Sequence, residues 1–344
     1  MTRTRLFATC LNVRIDEPRW WYAPERAMAA RLLAPAAAIY GWEARRRLKA
    51  GGDRRVGVPV ICIGNFTAGG TGKTPMSLLV AERLAALGLR AGFLSRGYKA
   101  RLAGPHRVGE SDAATDVGDE PLLLARHRAT FIARDRGAGA AAMMAGASPP
   151  DAIVMDDGML NGSLHKDLTI ALVDGSRGVG NACVIPSGPL RAPLDFQLGL
   201  VDAIVINRPG AETSLSDGVF RVFRQRFKGP ILSAWPAPSA DTSWLAGRPL
   251  VAYCGIGSPN RFFHLLEDLG GQIVAKVAFP DHHVLTDRDV RGLLERGWSS
   301  DCQLVTTEKD WVRLAGDGSA GELKRQSRVL PIRLDMTATD LDEL

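Results

Sequence analysis

One octapeptide, Thr67-Ala-Gly-Gly-Thr-Gly-Lys-Thr74, restricts what this 344-residue chain can fold into more than any other stretch. Before it, Val58-Pro-Val-Ile-Cys-Ile63 is a short apolar run suited to a buried strand, and after it Lys73 to Leu87 carries Leu, Ala, Glu and Arg at helical periodicity. Strand, glycine-rich loop and helix, in that order, are the context of a phosphate-binding loop. Gly69, Gly70 and Gly72 let the backbone approach an anion closely, so successive N–H groups and the helix N-terminus can cradle β- and γ-phosphates. Lys73 would add a point charge and Thr74 a hydroxyl for Mg²⁺, so the expected nucleotide site is Thr67, Gly69, Gly70, Thr71, Gly72, Lys73 and Thr74. The first glycine of the G-x-x-x-x-G-K-[ST] pattern is replaced by Thr67, which means either an unusual entry into the loop or a chance match.

The rest of the chain reads as α/β. Short apolar runs at 90–95, 129–133, 152–155, 169–173 and 203–206 alternate with helical or loop segments, the pattern of a parallel sheet flanked by helices. Polar groups then collect at the strand C-termini, where open sheets of this type place their sites. Residues 228–247, rich in Pro, Ser and Gly, read as a hinge. A second, smaller α/β unit follows over 248–325, and the C-terminal segment 326–344 is free to return to the core; the first core spans 58–227.

Four groups of residues carry possible chemistry. Ala152-Ile-Val-Met-Asp-Asp157 has the form of a Walker-B strand, in which Asp156 and Asp157 would hold Mg²⁺, although paired Asp at a strand end are also turn formers. Asp119 and Glu120 in Val117-Gly-Asp-Glu-Pro121 read equally as a helix cap before Pro121 and as a carboxylate that accepts a hydroxyl proton. In Asp281-His282-His283 two adjacent imidazoles point to opposite sides and do not suit one shared metal, whereas one His paired with a carboxylate could orient or tune a base. Thr306-Thr-Glu-Lys-Asp310 lacks the residue order of a guanine-reading motif, which favours ATP and a structural or hinge-proximal role.

The formal charge of +6 is concentrated at one end. Residues 1–57 hold twelve Arg or Lys against five Asp or Glu, and the remainder is nearly balanced. With Trp20-Trp21-Tyr22, an uncharged run from Leu32 to Trp42 and then Arg45-Arg-Arg47, this segment reads as a basic amphipathic helix at an anionic membrane surface. The uncharged run is too short to cross a hydrocarbon core that needs about 20 residues, and the other reading is a helix packed on its own domain. Five scattered cysteines, at 10, 62, 183, 254 and 302, form no C-x-x-C pair and point to a reducing compartment without zinc or a disulfide framework. No cleavable secretory signal is evident, since Arg3, Arg5, Arg14 and Arg19 interrupt the apolar stretches.

Together these motifs resemble the tetraacyldisaccharide 4′-kinases, the lipid A 4′-kinases of Gram-negative bacteria. The resemblance runs from the aromatic and basic N-terminal segment through Gly64–Pro75, Ser95-Arg-Gly-Tyr98, Val117–Pro121, Asp156-Asp-Gly158, Gly180-Asn181, Pro189-Leu-Arg191 and Phe279–His283 to Thr306–Asp310. The non-glycine at Thr67 is usual in that family. The resemblance implies ATP- and Mg²⁺-dependent phosphorylation of the 4′-hydroxyl of an acylated glucosamine disaccharide 1-phosphate, giving lipid IVA. The enzyme would work at the cytoplasmic face of the inner membrane, with no nucleic acid and no obligate protein partner.

Lys73 and Thr74 would then serve the phosphates and Mg²⁺, Asp156 and Asp157 the metal, and Glu120 the metal region. Asp119 would be the base and His282, rather than His283, its partner. Arg96, Tyr98 and Arg191 would face the substrate head group. Closure of the two units over ATP would bring His282 to Asp119. Met159-Leu160-Asn161 and Ala192 depart from the family's common Gln-His and Glu at those places, which bears on the substrate side. A competing class is a P-loop NTPase used as a switch or chaperone on a protein partner.

Overall fold

In the computed structural model, residues 17–23, 27–211, 217–299, 302–314 and 316–344 are described. Arg3, Arg5, Arg14 and Cys10 lie outside them.

Two sheets organise the chain. The strands of the large one are β1 (Val60–Asn65), β2 (Ala91–Ser95), β3 (His106–Arg107), β4 (Thr130–Ile132), β5 (Ala152–Asp156), β6 (Leu168–Asp174), β7 (Ala203–Asn207), β8 (Ile231–Pro238) and β13 (Ile332–Met336). Between β8 and β13 the chain builds a four-stranded sheet from β9 (Pro249–Cys254), β10 (Gln272–Ala278), β11 (Gln303–Thr307) and β12 (Ser327–Leu330). The large sheet runs β13-β8-β7-β6-β1-β5-β2-β4-β3 and is parallel except for β13 and β3 at its two edges. β1 lies between β5 and β6, so the chain leaves it in one direction, to β2, and later fills in its other side. This reversal opens a crevice beyond the C-terminal ends of β1, β5 and β6.

Apolar composition explains why β1, β5, β6 and β7 are central. Nearly every residue in them is buried, as a sheet covered on both faces requires. One face is packed by Met76, Val80 and Ala81 of the helix Lys73–Ala86 against Ile63, Val154 and Leu172. The opposite face receives Ala140, Met143, Leu194, Leu198 and Phe223. The small sheet is all parallel and also covered twice, by Phe262, Phe263 and Leu266 on one side and by Val290, Leu293, Leu294 and Leu323 on the other.

The segment expected to be a hinge, 228–247, instead contributes β8 to the large sheet. Its prolines misled the reading because their position is permissive. β8 pairs with β7 only as far as Asn207↔Ala234, and Pro236 and Pro238 lie beyond it, where one side of the strand has no partner to need an N–H. The crossings between units therefore fall after β8 and between β12 and β13, and Ser327–Leu330 belongs to the small sheet.

At the N-terminus, helices Met28–Leu32 and Ala34–Lys49 are separated at Leu33, with Pro35 in the first turn of the second helix, where its missing N–H costs nothing. The aromatic cluster differs from its membrane-facing reading. Trp21 is buried and its indole N–H donates to Pro186 O at 3.1 Å, while Tyr22 donates to Glu17 Oε2 at 3.0 Å beneath the Arg177 guanidinium. An indole whose N–H finds a protein acceptor gains more by packing on its own domain than by facing outward. Met28, Leu32, Ile39 and Trp42 remain exposed. Among the described residues no helix is long and apolar enough to cross a membrane.

Leu334 of β13 is buried among Ala203, Val205 and Leu232 of the large sheet's core. Leu334→Ala is expected to destabilise the protein by about 2–5 kcal/mol in urea unfolding, as for a large-to-small change in a closed core. A change near zero would mean that 332–336 does not complete the large sheet.

Candidate active site

The loop after β1 and the helix it enters are shaped by two glycines with left-handed backbones, Gly69 and Gly72, both at φ +93°. Asn65 Nδ2 donates to Gly69 O at 3.2 Å and Asn207 Nδ2 donates to Thr71 O at 2.9 Å, so buried side chains at the ends of β1 and β7 tie down two of the loop's carbonyls. A Cβ at Gly72 would lie 2.6 Å from Asn207 Nδ2. Thr67 pairs in an isolated bridge with Leu190, which accounts for a non-glycine there: the entry to the loop is an extended contact rather than a tight turn.

Behind the loop, β5 delivers two carboxylates to two different environments. Asp156 is buried and accepts from Thr74 Oγ1 at 3.3 Å and Ser77 Oγ at 3.1 Å. Burial, with Glu120 and Asp157 nearby, pushes its carboxyl up to about 7. Asp157, at φ +56°, takes a bidentate pair from Arg191 at 2.7 and 3.2 Å and lies 3.9 Å from Lys73 Nζ. Burial opposes its ionisation, but Lys73 and Arg191 outweigh it and hold the carboxyl well below the usual range. Arg136, also buried, braces the turn by donating to Asp157 O at 3.1 Å and Ala133 O at 2.8 Å.

Among the described residues no three His, Cys, Asp or Glu side chains converge as a metal cage. Mg²⁺ does not need one. It keeps several waters and takes one or two carboxylates along with substrate phosphates, and a hydroxyl bound to a carboxylate that its neighbours resist ionising, Thr74 on Asp156, fits such a cation.

A second charged cluster bridges the two units. Asp119 opens the helix Asp119–Ala125, yet its carboxylate does not cap that helix. It turns to the small unit, where Oδ2 receives Arg313 Nε at 2.7 Å, Arg313 Nη2, and an interaction with His282 Nδ1 at 3.1 Å. Burial resists the charge on Asp119, but His282, Lys309 and Arg313 together hold its carboxyl far below the usual range. Lys309 Nζ donates to Glu120 Oε1 at 3.1 Å and lies 3.2 Å from His282 Nε2. The geometry distinguishes the two histidines. His282, at φ +59° and edge-on to Tyr98 at 5.4 Å, meets Asp119, whereas His283 stacks on Phe279 and meets Asp289 Oδ2 at 3.0 Å.

Lys309 and Arg313 are absent from the site expected from sequence, because Thr306–Asp310 lacks the order of a guanine-reading motif and so suggests only a structural or hinge-proximal role, and Arg313 lies beyond it. The signal was a helical spacing. Thr307 caps the helix Glu308–Arg313 by accepting from Asp310 N, and residues four apart on that helix share a face, so Lys309 and Arg313 both point at the large unit. Asp310 holds Arg313 Nη1 at 2.8 Å. A second tie runs from Arg261, which donates to Asp174 Oδ1 at 3.0 Å and Asn207 O at 3.1 Å.

Between these ties lies a cleft of ≈ 250 Å³ that reaches Gly70, Lys73, Glu120, Asp281 and Lys309. Of the weaker candidates, Tyr98 is half exposed against His282, Arg96 is exposed, and the Arg191 guanidinium is taken up by Asp157.

A glycine loop at the C-terminal end of a central parallel strand, its threonine bonded to a buried carboxylate of the neighbouring strand, defines the fold of a P-loop phosphotransferase. A model of the family described as tetraacyldisaccharide-1-P 4′-kinase matches residues 29–344. The tetraacyldisaccharide 4′-kinase of Methylobacterium radiotolerans is 46% identical over 318 residues, covering 92% of this chain and 93% of the relative. That of Nitrobacter winogradskyi is 46% identical over 301 residues, 87% of each chain. The crystal structure of the "apo" form of LpxK from Aquifex aeolicus in complex with ATP has the same fold, with a TM-score of 0.71 at 24% identity over 92% of this chain and 98% of that one. The chain belongs to the tetraacyldisaccharide 4′-kinase family.

Gly72→Ala is expected to weaken Mg·ATP binding about tenfold or more in calorimetric titration, since a left-handed non-glycine strained by about 1–3 kcal/mol would also press on Asn207. Unchanged affinity would remove the loop as the phosphate cradle.

Proposed function

We propose that this chain transfers the γ-phosphoryl group of ATP to the 4′-hydroxyl of an acylated glucosamine disaccharide 1-phosphate, with Asp119 as the base, giving lipid IVA in lipid A biosynthesis. The observation that carries the assignment of the base is the division of labour on Asp119. Every hydrogen bond found for it falls on Oδ2, which leaves Oδ1 for an acceptor hydroxyl. The hydroxyl oxygen attacks the γ-phosphorus, its proton passes to Asp119, and the bond from the γ-phosphorus to the β,γ-bridging oxygen breaks as ADP leaves.

The loop N–H groups and Lys73 hold the phosphates and resist charge growth on the leaving side. Thr74 and Asp156 would hold Mg²⁺, with Asp157 beside them, and the ion would supply neutralisation of phosphate charge there. Asp157, fixed by Arg191 and Arg136, keeps Lys73 aimed along the loop. Arg96 and Tyr98 are both exposed, Tyr98 edge-on to His282, and are the candidates for meeting the sugar head group.

The acceptor's acyl chains keep it in a bilayer, so the enzyme works as a peripheral protein on the cytoplasmic face of the inner membrane. The helix Ala34–Lys49 supports this reading. It exposes Ile39 and Trp42 next to Arg45, Arg46 and Arg47. Arg46 and Arg47 pair with Glu43 in exposed bridges worth little, so lipid phosphates can replace that partner at small cost.

The test is transfer of γ-labelled phosphate from Mg·ATP to detergent-dispersed acceptor. Wild type is expected to label the lipid, and Asp119→Asn to lower kcat by about 10²–10⁴-fold while still binding nucleotide. Turnover within a few-fold of wild type would exclude Asp119 as base. Label released only as inorganic phosphate would move the protein to the NTPase-switch class.

A further inference from the structure

His282 sits between two partners of opposite character, and only one protonation pattern satisfies both. On one side Nδ1 faces the Asp119 carboxylate at 3.1 Å, which can only accept. On the other, Nε2 faces Lys309 Nζ at 3.2 Å, and an ammonium can only donate. We propose that Lys309 is a positioning residue for the phosphoryl transfer, which fixes His282 as the neutral tautomer with its proton on Nδ1 and so commits that proton to Asp119.

The surrounding charges support the choice. The other acceptor within reach of Nε2 is Asp281 Oδ2, at 3.7 Å, too far for a hydrogen bond. Lys309 lies 3.9 Å from Asp281 Oδ1 and shields it from the ring. Burial disfavours the charge on Lys309, but Glu120, Asp119 and Asp281 outweigh it, so the group stays an ammonium. A doubly protonated imidazole would turn an N–H toward that ammonium, setting like charges and two donors against each other at 3.2 Å. Tyr98 contributes a ring edge, and Arg313 donates to the same Asp119 oxygen that Nδ1 meets, which adds positive charge on that side too.

One consequence concerns the base. With Nε2 occupied by Lys309 and the Nδ1 proton given to Oδ2, His282 has no open site for a proton, so the acceptor's proton comes to rest on Asp119 Oδ1. His282 orients the carboxylate and does not relay. This rests on Asp119 being the base, but the tautomer is read without turnover, so the two can fail separately.

The test is ¹⁵N NMR of the full chain labelled at histidine, with His282 assigned by its loss in His282→Gln. Wild type at neutral pH is expected to show a neutral ring protonated at Nδ1. Lys309→Met is expected to lose that pattern, either to the imidazolium or to the Nε2–H tautomer, with kcat down at least tenfold and KM for ATP little changed. Lys309→Arg, which keeps a cationic donor, is expected to restore the wild-type ring pattern. An imidazolium or an Nε2–H ring in the wild-type spectrum overturns the proposal without any variant. So does a wild-type ring pattern in Lys309→Met.

Discussion

The structure depends on a carboxylate buried where two units meet. An isolated charge of this kind costs several kcal/mol, and Asp119 is tolerated because the small unit supplies cations to it. Arg313 donates twice to Oδ2, and Lys309 stands 4.0 Å away while bonding Glu120. Two carboxylates and two cations thus balance across the seam. Neither unit can satisfy its half alone: without the small unit, Asp119 and Glu120 would face the cleft unpaired, and without the large one Arg313 would keep only Asp310 and a carbonyl. The seam therefore has a fixed register, and the same contacts that hold the units together bring Glu120 and Lys309 to the cleft that also reaches Gly70 and Lys73.

Adjacent carboxylates at the end of β5 show how far environment separates identical groups. Asp156 looks toward two hydroxyls of the helix Lys73–Ala86, and burial dominates it. Asp157, one residue later and in a left-handed backbone, looks toward Arg191 and Lys73, and charge dominates it. A cation bound near Asp156 would meet a carboxyl whose ionisation burial resists, and would favour its ionised form. Asp157, held well below the usual carboxylate range, would serve as the fixed anion that aligns Lys73.

Much of this was legible in the sequence, for reasons tied to particular residues. The strands at 60–65, 152–156 and 203–207 are short, continuous and apolar because both sheet faces are covered, and such runs are hard to mistake once a glycine loop marks the first of them. The loop residues are contiguous, so their grouping needed no tertiary information. β8 was lost because Pro236 and Pro238 look like a linker unless one knows that β7 stops at Asn207. The return of 326–344 to the core is open from sequence, but its form as β13 beside β8 is not legible there, because a strand following a whole second unit carries no local sign of the sheet it rejoins.

The seam was legible only in part. Asp119 and His282 stand out by composition, in an acidic pair and a His pair, but Lys309 and Arg313 look like ordinary helix-surface cations. Their role is created by the 189 and 194 residues that separate them from Glu120 and Asp119 along the chain. What the sequence does hold is their spacing of four on a helix whose first turn is capped by Thr307. A cap fixes where the helix begins, and therefore which face both cations share. Asp310, within that turn, cannot reach the large unit; it locks Arg313 from behind instead. A capped short helix presenting two cations on one face is built to meet a pair of carboxylates, and a search for one in the other unit leads to Asp119-Glu120.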